Sequence, residues 1–319
     1  MDMKDRDALL SAIREAATDE AKAVAFLEAR RWGVDPACPR CGSVKVYQMR
    51  DATTGQRNKD FRWRCHDCKR MYSVRTATVF EESRLPLRIW CHAYWRAVAS
   101  KKGVSALQIS RECGITYKSA LFLMHRVRWA MTPTPGTTAK LEGTVEADET
   151  YVGGKPRAMQ RRFPSRYGPT GNKVPVFAMV QRQGQVRAWP IARVTGATLA
   201  KALHENVSRD ARLMTDQLLA YRKPGRGFRG GHEAVRHDIN EYVRGDAYTN
   251  TVEGFFSLLK RQIYGTHHSV SKEHLHRYVS EAAYKYNTRT LNDMQRLAAA
   301  IKASEGKRLV YRPPSTSAA

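Results

Sequence analysis

The segment VEGFFSLLKRQI places apolar residues at Val252, Phe255, Phe256, Leu259 and Ile263, the spacing of one buried stripe on an α-helix. Beside it runs a second stripe of Glu253, Ser257 and Lys260. Seven residues at about 100° each bring Glu253 and Lys260 to the same side, separated by about 10 Å along the axis. That gap is too long for a salt bridge, so the pairing of a carboxylate with an ammonium on one face needs another reason.

The same periodicities predict the rest of the chain. An amphipathic helix runs over about 5–31 (Leu10, Ile13, Ala17, Ala21, Val24) and stops at Gly33 and Pro36. From Asp35 to about Val79 the pieces VKVYQMR, FRWRC and MYSVRT read as short strands between turns. Three helical segments follow, PLRIWCHAYWRAVAS, SALQISREC and TYKSALFLMHRVRWAM. The turn Cys113-Gly114-Ile115-Thr116 separates the last two, as in a helix-turn-helix.

After the Pro- and Gly-bearing stretch TPTPGTTAK, strand signals come in GTVEADETYVG, VPVFAMVQR, QVRAWPIARV, ARLMTD and HEAVRHD. A helix, TLAKALHENV, interrupts them; the Glu253 helix and KEHLHRYVSEAAYKYNTRT close the region. Such a succession predicts an α/β class with a mixed sheet and helices. The expected organisation is an N-terminal helix (1–34), a β-rich module (35–80), a helix-turn-helix-like domain (81–131), a linker (132–141), an α/β domain (142–303) and a disordered tail (304–319).

Charge narrows the function. Among 319 residues, 55 Lys and Arg stand against 30 Asp and Glu, a formal charge of +25. An excess of that size makes a polyanion, and first of all nucleic acid, the default partner. No apolar run approaches the roughly 18 residues of a membrane span, and no secretory signal core opens the chain. The expectation is a cytoplasmic protein held near the nucleoid by DNA, with no membrane partner.

Four of the six cysteines are paired as Cys38-Pro-Arg-Cys41 and Cys65-His-Asp-Cys68. Two such pairs on turns, 23 residues apart, predict a tetrahedral four-thiolate zinc site that stabilises a module too small to hold itself together. Four thiolates leave no open position for water, so this zinc is structural. Cys91 and Cys113 stand in apolar helical contexts and read as core residues.

Candidate DNA contacts fall in two places. The second helix of the helix-turn-helix would carry Tyr117, Lys118, His125, Arg126 and Arg128, of which Lys118 and Arg126 are the main candidates. The stretch 155–173, with Lys155, Arg157, Arg161 and Arg162, holds six cations and no acid; 222–231 is similar.

Carboxylates at the ends of apolar strands stand out in so basic a chain. Asp148 follows Val145 and Ala147, and Asp216 ends RLMTD, so each can sit at the carboxyl edge of a sheet. Glu253 could join them from its helix. Glu146, Glu149 and Asp210 are open alternatives. A convergent set would repel itself unless cations sat inside it, and oxygen ligands suit Mg²⁺ or Mn²⁺ in a two-metal site for phosphoryl transfer.

Taken together, CPRCGS, RCHDCKRMYSVRTATVFEESRLPLRIW, SKKGVSALQISRECGITYKSA, DETYVGGK, TNTVEGFFSLLKR and GTHHSVSKEHLHRYVSEAAYKYNTR resemble the zinc-ribbon insertion-sequence transposases of the ISXO type, from about residue 20 to 290. The resemblance implies a ribonuclease H-like, integrase-like catalytic domain in which Asp148, Asp216 and Glu253 are the metal-binding acids. Lys260 matches the basic residue seven positions after the third acid, where it and Arg261 would meet DNA. Asn250 matches a further signature position. Where the family often has a histidine near the Thr-Asn, this chain has Ala247 and Tyr248, which leaves that role to Tyr248, to His237 or to nothing. The implied activity is cleavage at transposon ends and joining to target DNA by a dimer or larger assembly. The rival expectation is a zinc-ribbon and helix-turn-helix regulator without catalysis.

Overall fold

The computed structural model describes residues 3–134, 136, 138–154, 173–235 and 245–310. The chain divides into two compact units, residues 1–131 with 291–319, and residues 132–290.

The first unit opens with two helices, α1 (Met3–Ala16) and α2 (Glu20–Trp32), where the periodicity predicts one. Asp19 makes the break. Its backbone is extended, at φ −117° and ψ 132°, and its side chain accepts the Lys22 N–H, which starts a new helix. Three short strands, β1 (Val46–Gln48), β2 (Trp63–Cys65) and β3 (Met71–Tyr72), form an antiparallel sheet. Helix α2 is bound to this sheet through Glu28, which accepts from Trp63 Nε1 at 2.7 Å and from Arg57 Nη1 at 3.0 Å.

Helices α3 (Leu87–Ala99), α4 (Ala106–Cys113) and α5 (Tyr117–Met131) follow, as predicted. The Glu20 carboxylate accepts the first free N–H groups of α3, from Leu87 at 2.7 Å and Arg88 at 3.1 Å. Gly114 ends α4 in the left-handed conformation, φ 62°, which glycine adopts without steric cost.

In the second unit, β4 (Thr144–Val152), β5 (Val174–Gln181), β6 (Val186–Pro190), β7 (Arg212–Asp216) and β8 (His232–Val235) form one sheet in the order β6-β5-β4-β7-β8. Strand β5 is antiparallel to both neighbours, whereas β4, β7 and β8 run parallel. This is the mixed sheet with helices that the strand and helix signals predict. Helix α6 (Gly196–Asn206) packs on one face through Leu199 and Leu203 against Val145, Ala147 and Phe177. Helices α7 (Asn250–Gln262) and α8 (Leu275–Asn287) cover the other, with Val252, Phe255 and Leu259 against Val176, Ala178 and Val180. Buried on both faces, β5 reads VPVFAMV with no alternation.

The chain then returns to the first unit, contrary to the expected domain end at 303. Helix α9 (Asp293–Lys302) packs on α2, α3 and α5, and Arg296 Nη1 donates to the Val98 carbonyl at 3.1 Å. Nor is the start of the expected tail disordered. Glu305 binds Arg31 at 2.9 Å, the Gly306 N–H donates to Ala77 O at 2.8 Å, and Lys307 Nζ donates to Ala130 O at 2.7 Å. Residues 311–319 lie outside the described residues.

Asn292 and Gln295 form a reciprocal capping box at the start of α9. Replacing Asn292 with Ala should therefore lower the unfolding free energy by about 1 kcal/mol, read from urea denaturation. An unchanged midpoint would mean that the cap does not hold α9 in place.

Candidate active site

Side chains alternate along β4, so Glu146, Asp148 and Thr150 point to the α7 face and Val145, Ala147 and Glu149 to the α6 face. Thr144, Val145 and Glu146 pair with Arg212, Leu213 and Met214 of β7. Continued by two residues, that register sets Asp148, midway along β4, beside Asp216 at the carboxyl end of β7. Carboxylate oxygens of Asp148, Glu149 and Asp216 lie within 4.8 Å of one another. The cleft that holds them, about 480 Å³, is also lined by Glu253, Ser257 and Lys260. Thus the second stripe of α7 faces the acids, while its apolar stripe is fully buried.

Each acid is held differently. Burial pushes the Asp148 carboxyl up to about 7; the Glu149 N–H, 2.7 Å from its Oδ1, opposes this, and the charges of Glu149, Asp216 and Glu253 add to it. Burial also raises Glu149, whose Oε2 accepts the Tyr221 hydroxyl at 2.7 Å. Asp216 Oδ1 accepts the Leu218 N–H at 3.0 Å, and Glu253 Oε1 accepts the Thr249 hydroxyl at 2.9 Å. An all-oxygen set of like charges, in a site that penalises ionisation, fits hard divalent cations, which would relieve both costs at once.

Among the open alternatives, Glu149 is drawn into the cluster. Glu146 is wholly buried at the start of α7, and Asp210 is exposed beside Arg229. Tyr221, the partner of Glu149, is the residue that the sequence pattern did not single out, since nothing local ties it to an acid 72 positions earlier. Tyr248 is engaged by Arg182, whose guanidinium lies 3.5 Å from its ring centroid; His237 lies outside the described residues.

In the first unit, the four cysteine Sγ atoms form a second cluster, with Cys38 and Cys68 at 3.7 Å and Cys41 and Cys65 at 3.6 Å. Four sulfurs at about 2.3 Å from a tetrahedral zinc would stand about 3.8 Å apart, so the site fits that metal. Backbone N–H groups of Cys68 and Asp67 bring the Cys65 thiol down to about 7, whereas at Cys41 the Ser43 backbone hydrogen bond is outweighed by burial and the neighbouring thiols, which push it up to about 12, so the metal-free cluster favours a thiolate at Cys65 and not at Cys41. Cys91 is buried in α3, as expected of a core residue.

The DNA-contact expectations need correction at α5. Arg126 is 5% exposed; it donates to the Glu81 carbonyl, and its guanidinium lies over the rings of Trp90 and Phe122. His125 and Arg128 are buried as well. The middle of α5 packs inward, so only its first turn, with Tyr117 and Lys118, faces solvent. Lys260 and Arg261 are exposed, whereas Lys155, Arg157, Arg161 and Arg162 lie outside the described residues.

Comparison with known proteins gives a consistent family signal. Residues 140–287 match the profile described as the ISXO2-like transposase domain, and residues 18–71 match the transposase zinc-ribbon domain. The latter match includes α2 with the ribbon to which Glu28 ties it. A relative described as an uncharacterized protein in transposable element ISH50 of Halobacterium salinarum is 30% identical over 271 residues, covering 82% of this chain and 88% of the relative. A solved structure of a simian T-cell lymphotropic virus intasome, in complex with a PP2A regulatory subunit, gives 14% identity over 55% of this chain and 63% of that chain. Its TM-score of 0.28 is too low to bear on fold or function.

Asp148 titrates above the ordinary carboxylate range, so ionising it costs folding stability as pH rises from about 4 to about 7. With zinc retained and no magnesium added, Asp148→Asn should melt above the wild type near pH 8, and the gain should vanish towards pH 4. A pH-independent difference would contradict this origin. For the cysteine cluster, elemental analysis should find one zinc per chain, and Cys65→Ala should abolish it.

Proposed function

The chain belongs to the ISXO2-like insertion-sequence transposases, and from that premise we propose that it cuts DNA at the ends of its element and joins those ends to target DNA. The observation that carries this reading is the cleft itself, where Asp148 and Asp216 from adjacent parallel strands meet Glu253 and Lys260 from one helix.

In the first step the oxygen of water bonds to a phosphorus at the transposon end and the P–O3′ bond breaks, which frees a 3′-hydroxyl and leaves a 5′-phosphate. In the second, that hydroxyl oxygen attacks a target phosphodiester and displaces another 3′-oxygen. Two Mg²⁺ or Mn²⁺ ions would activate the attacking oxygen and stabilise the leaving one. Asp148, Asp216 and Glu253 would hold them, with Glu149 steadied alongside by the Tyr221 hydroxyl. Lys260, two turns along α7, would bind a phosphate oxygen and fix the strand in register with the acids. No covalent protein intermediate is required.

Zinc would preserve the ribbon that, with Lys118 at the exposed start of α5, contacts the transposon ends. Arg261, on the outer side of α7, would add to backbone binding. Bringing two ends together requires at least two copies of the chain.

The rival is a DNA-binding regulator with a silent second unit. Incubating the full-length protein with end-bearing DNA and Mg²⁺ separates the two: the wild type should nick and join, and Asp148→Asn should do neither. Equal products from both proteins would defeat the catalytic reading. Lys260→Ala should reduce strand joining at least tenfold while changing stability by no more than about 0.5 kcal/mol, the range of ordinary surface substitutions.

A further inference from the structure

Two residues before Asp148, on the same face of β4, Glu146 is completely buried. Its carboxylate meets four donors. Oε1 accepts from Arg182 Nε at 2.7 Å and from the Thr251 hydroxyl at 2.8 Å, and Oε2 accepts the backbone N–H groups of Thr251 at 2.8 Å and Val252 at 3.0 Å. Those two N–H groups belong to the first turn of α7, where an α-helix has no internal acceptors and where the preceding Thr249 supplies no side-chain cap. A carboxylate from the central strand therefore does the capping. Glu253 is the residue that follows Val252.

Arg182 extends the attachment. Its Nη1 donates to the Asp246 carbonyl at 2.8 Å and its Nη2 to the Tyr248 carbonyl at 3.0 Å, and its guanidinium stacks on the Tyr248 ring. The segment entering α7 is thereby tied to the end of β5. Asp246 in turn binds Arg212 at the start of β7, the strand that ends in Asp216. Neither Glu146 nor Arg182 lines the acidic cleft.

We propose that Glu146 and Arg182 are positioning residues that set the Glu253 carboxylate over Asp148 and Asp216, so that cation binding by the cleft depends on an ion pair outside it whose carboxylate is fully buried. This inference rests on the reading of Glu253 as a metal-holding acid. Buried, hydrogen-bonded groups behind a metal ligand commonly change metal affinity by tenfold or more when replaced.

The test is a double-mutant cycle on the full-length, zinc-loaded protein, with Mn²⁺ binding followed by electron paramagnetic resonance and cooperative thermal unfolding as the check on folding. Glu146→Gln puts an amide donor among four donors. It should weaken Mn²⁺ binding about tenfold in the wild-type background and less than twofold in a Glu253→Gln background, because there is no longer a carboxylate to misplace. Equal losses in both backgrounds would overturn the positioning role and leave the metal-holding reading of Glu253 intact. If Glu253→Gln alone left Mn²⁺ binding unchanged, that reading would fall and the inference with it. Should Glu146→Gln not fold, Arg182→Lys serves in the same cycle, since it keeps the charge beside Glu146 but loses the fork to the two carbonyls. The same outcomes then decide.

Discussion

Two carboxylates on one face of β4 meet opposite treatment, and the second unit is arranged around the contrast. Glu146 is taken wholly out of water and surrounded by four donors, two of them the otherwise unmet N–H groups of α7. Asp148, one pleat further, is partly buried among other acids and is pushed towards the neutral form. The first interaction fixes a helix on a sheet, and the second leaves a demand for positive charge in the cleft between them. The seat of α7 on the sheet, and with it the place of Glu253 in the first turn, follows the first of these interactions. A strand with period two can serve a structural and a reactive carboxylate only by using alternate positions.

Local patterns in the sequence carried much of this. The apolar stripe from Val252 to Ile263 is buried as its spacing requires, and Glu253, Ser257 and Lys260 share the cleft that their common face implies. Each strand of the sheet was legible from short apolar runs, and the cysteine spacing was enough for a four-thiolate cluster. What was not legible depends on partners far apart in the chain. Glu146 finds its N–H donors 105 and 106 positions away, and nothing in VEADE distinguishes a cap from a ligand. Arg126 reads as an exposed recognition residue until α3 is placed beside α5 and Trp90 comes under its guanidinium. Asp19 is of another kind: its bond to the Lys22 N–H spans only three positions, yet the amphipathic spacing over 5–31 predicts a single helix.

The count of 55 Lys and Arg also overstates the side chains available to contact a polyanion. Arg31, Arg75, Arg182, Arg212 and Arg296 all donate to carbonyls or carboxylates of their own unit. A guanidinium is well suited to this, since its planar fork satisfies several acceptors at once. Part of the basic excess therefore functions as internal cross-linking, and the outward face of α7 and the first turn of α5 become correspondingly more important to any contact with phosphate.

Because α9 lies in the first unit, the second unit is an insertion within the sequence of the first. Arg296 must find the Val98 carbonyl across 198 positions, and Arg31 must find Glu305 across 274. During synthesis at about 5–20 residues per second, the whole mixed sheet emerges before the last helix of the first unit. The module that carries the cysteine cluster thus cannot complete its packing until the acidic cleft has already left the ribosome. Any interruption of translation between those two events yields a chain with its sheet made and its first unit open.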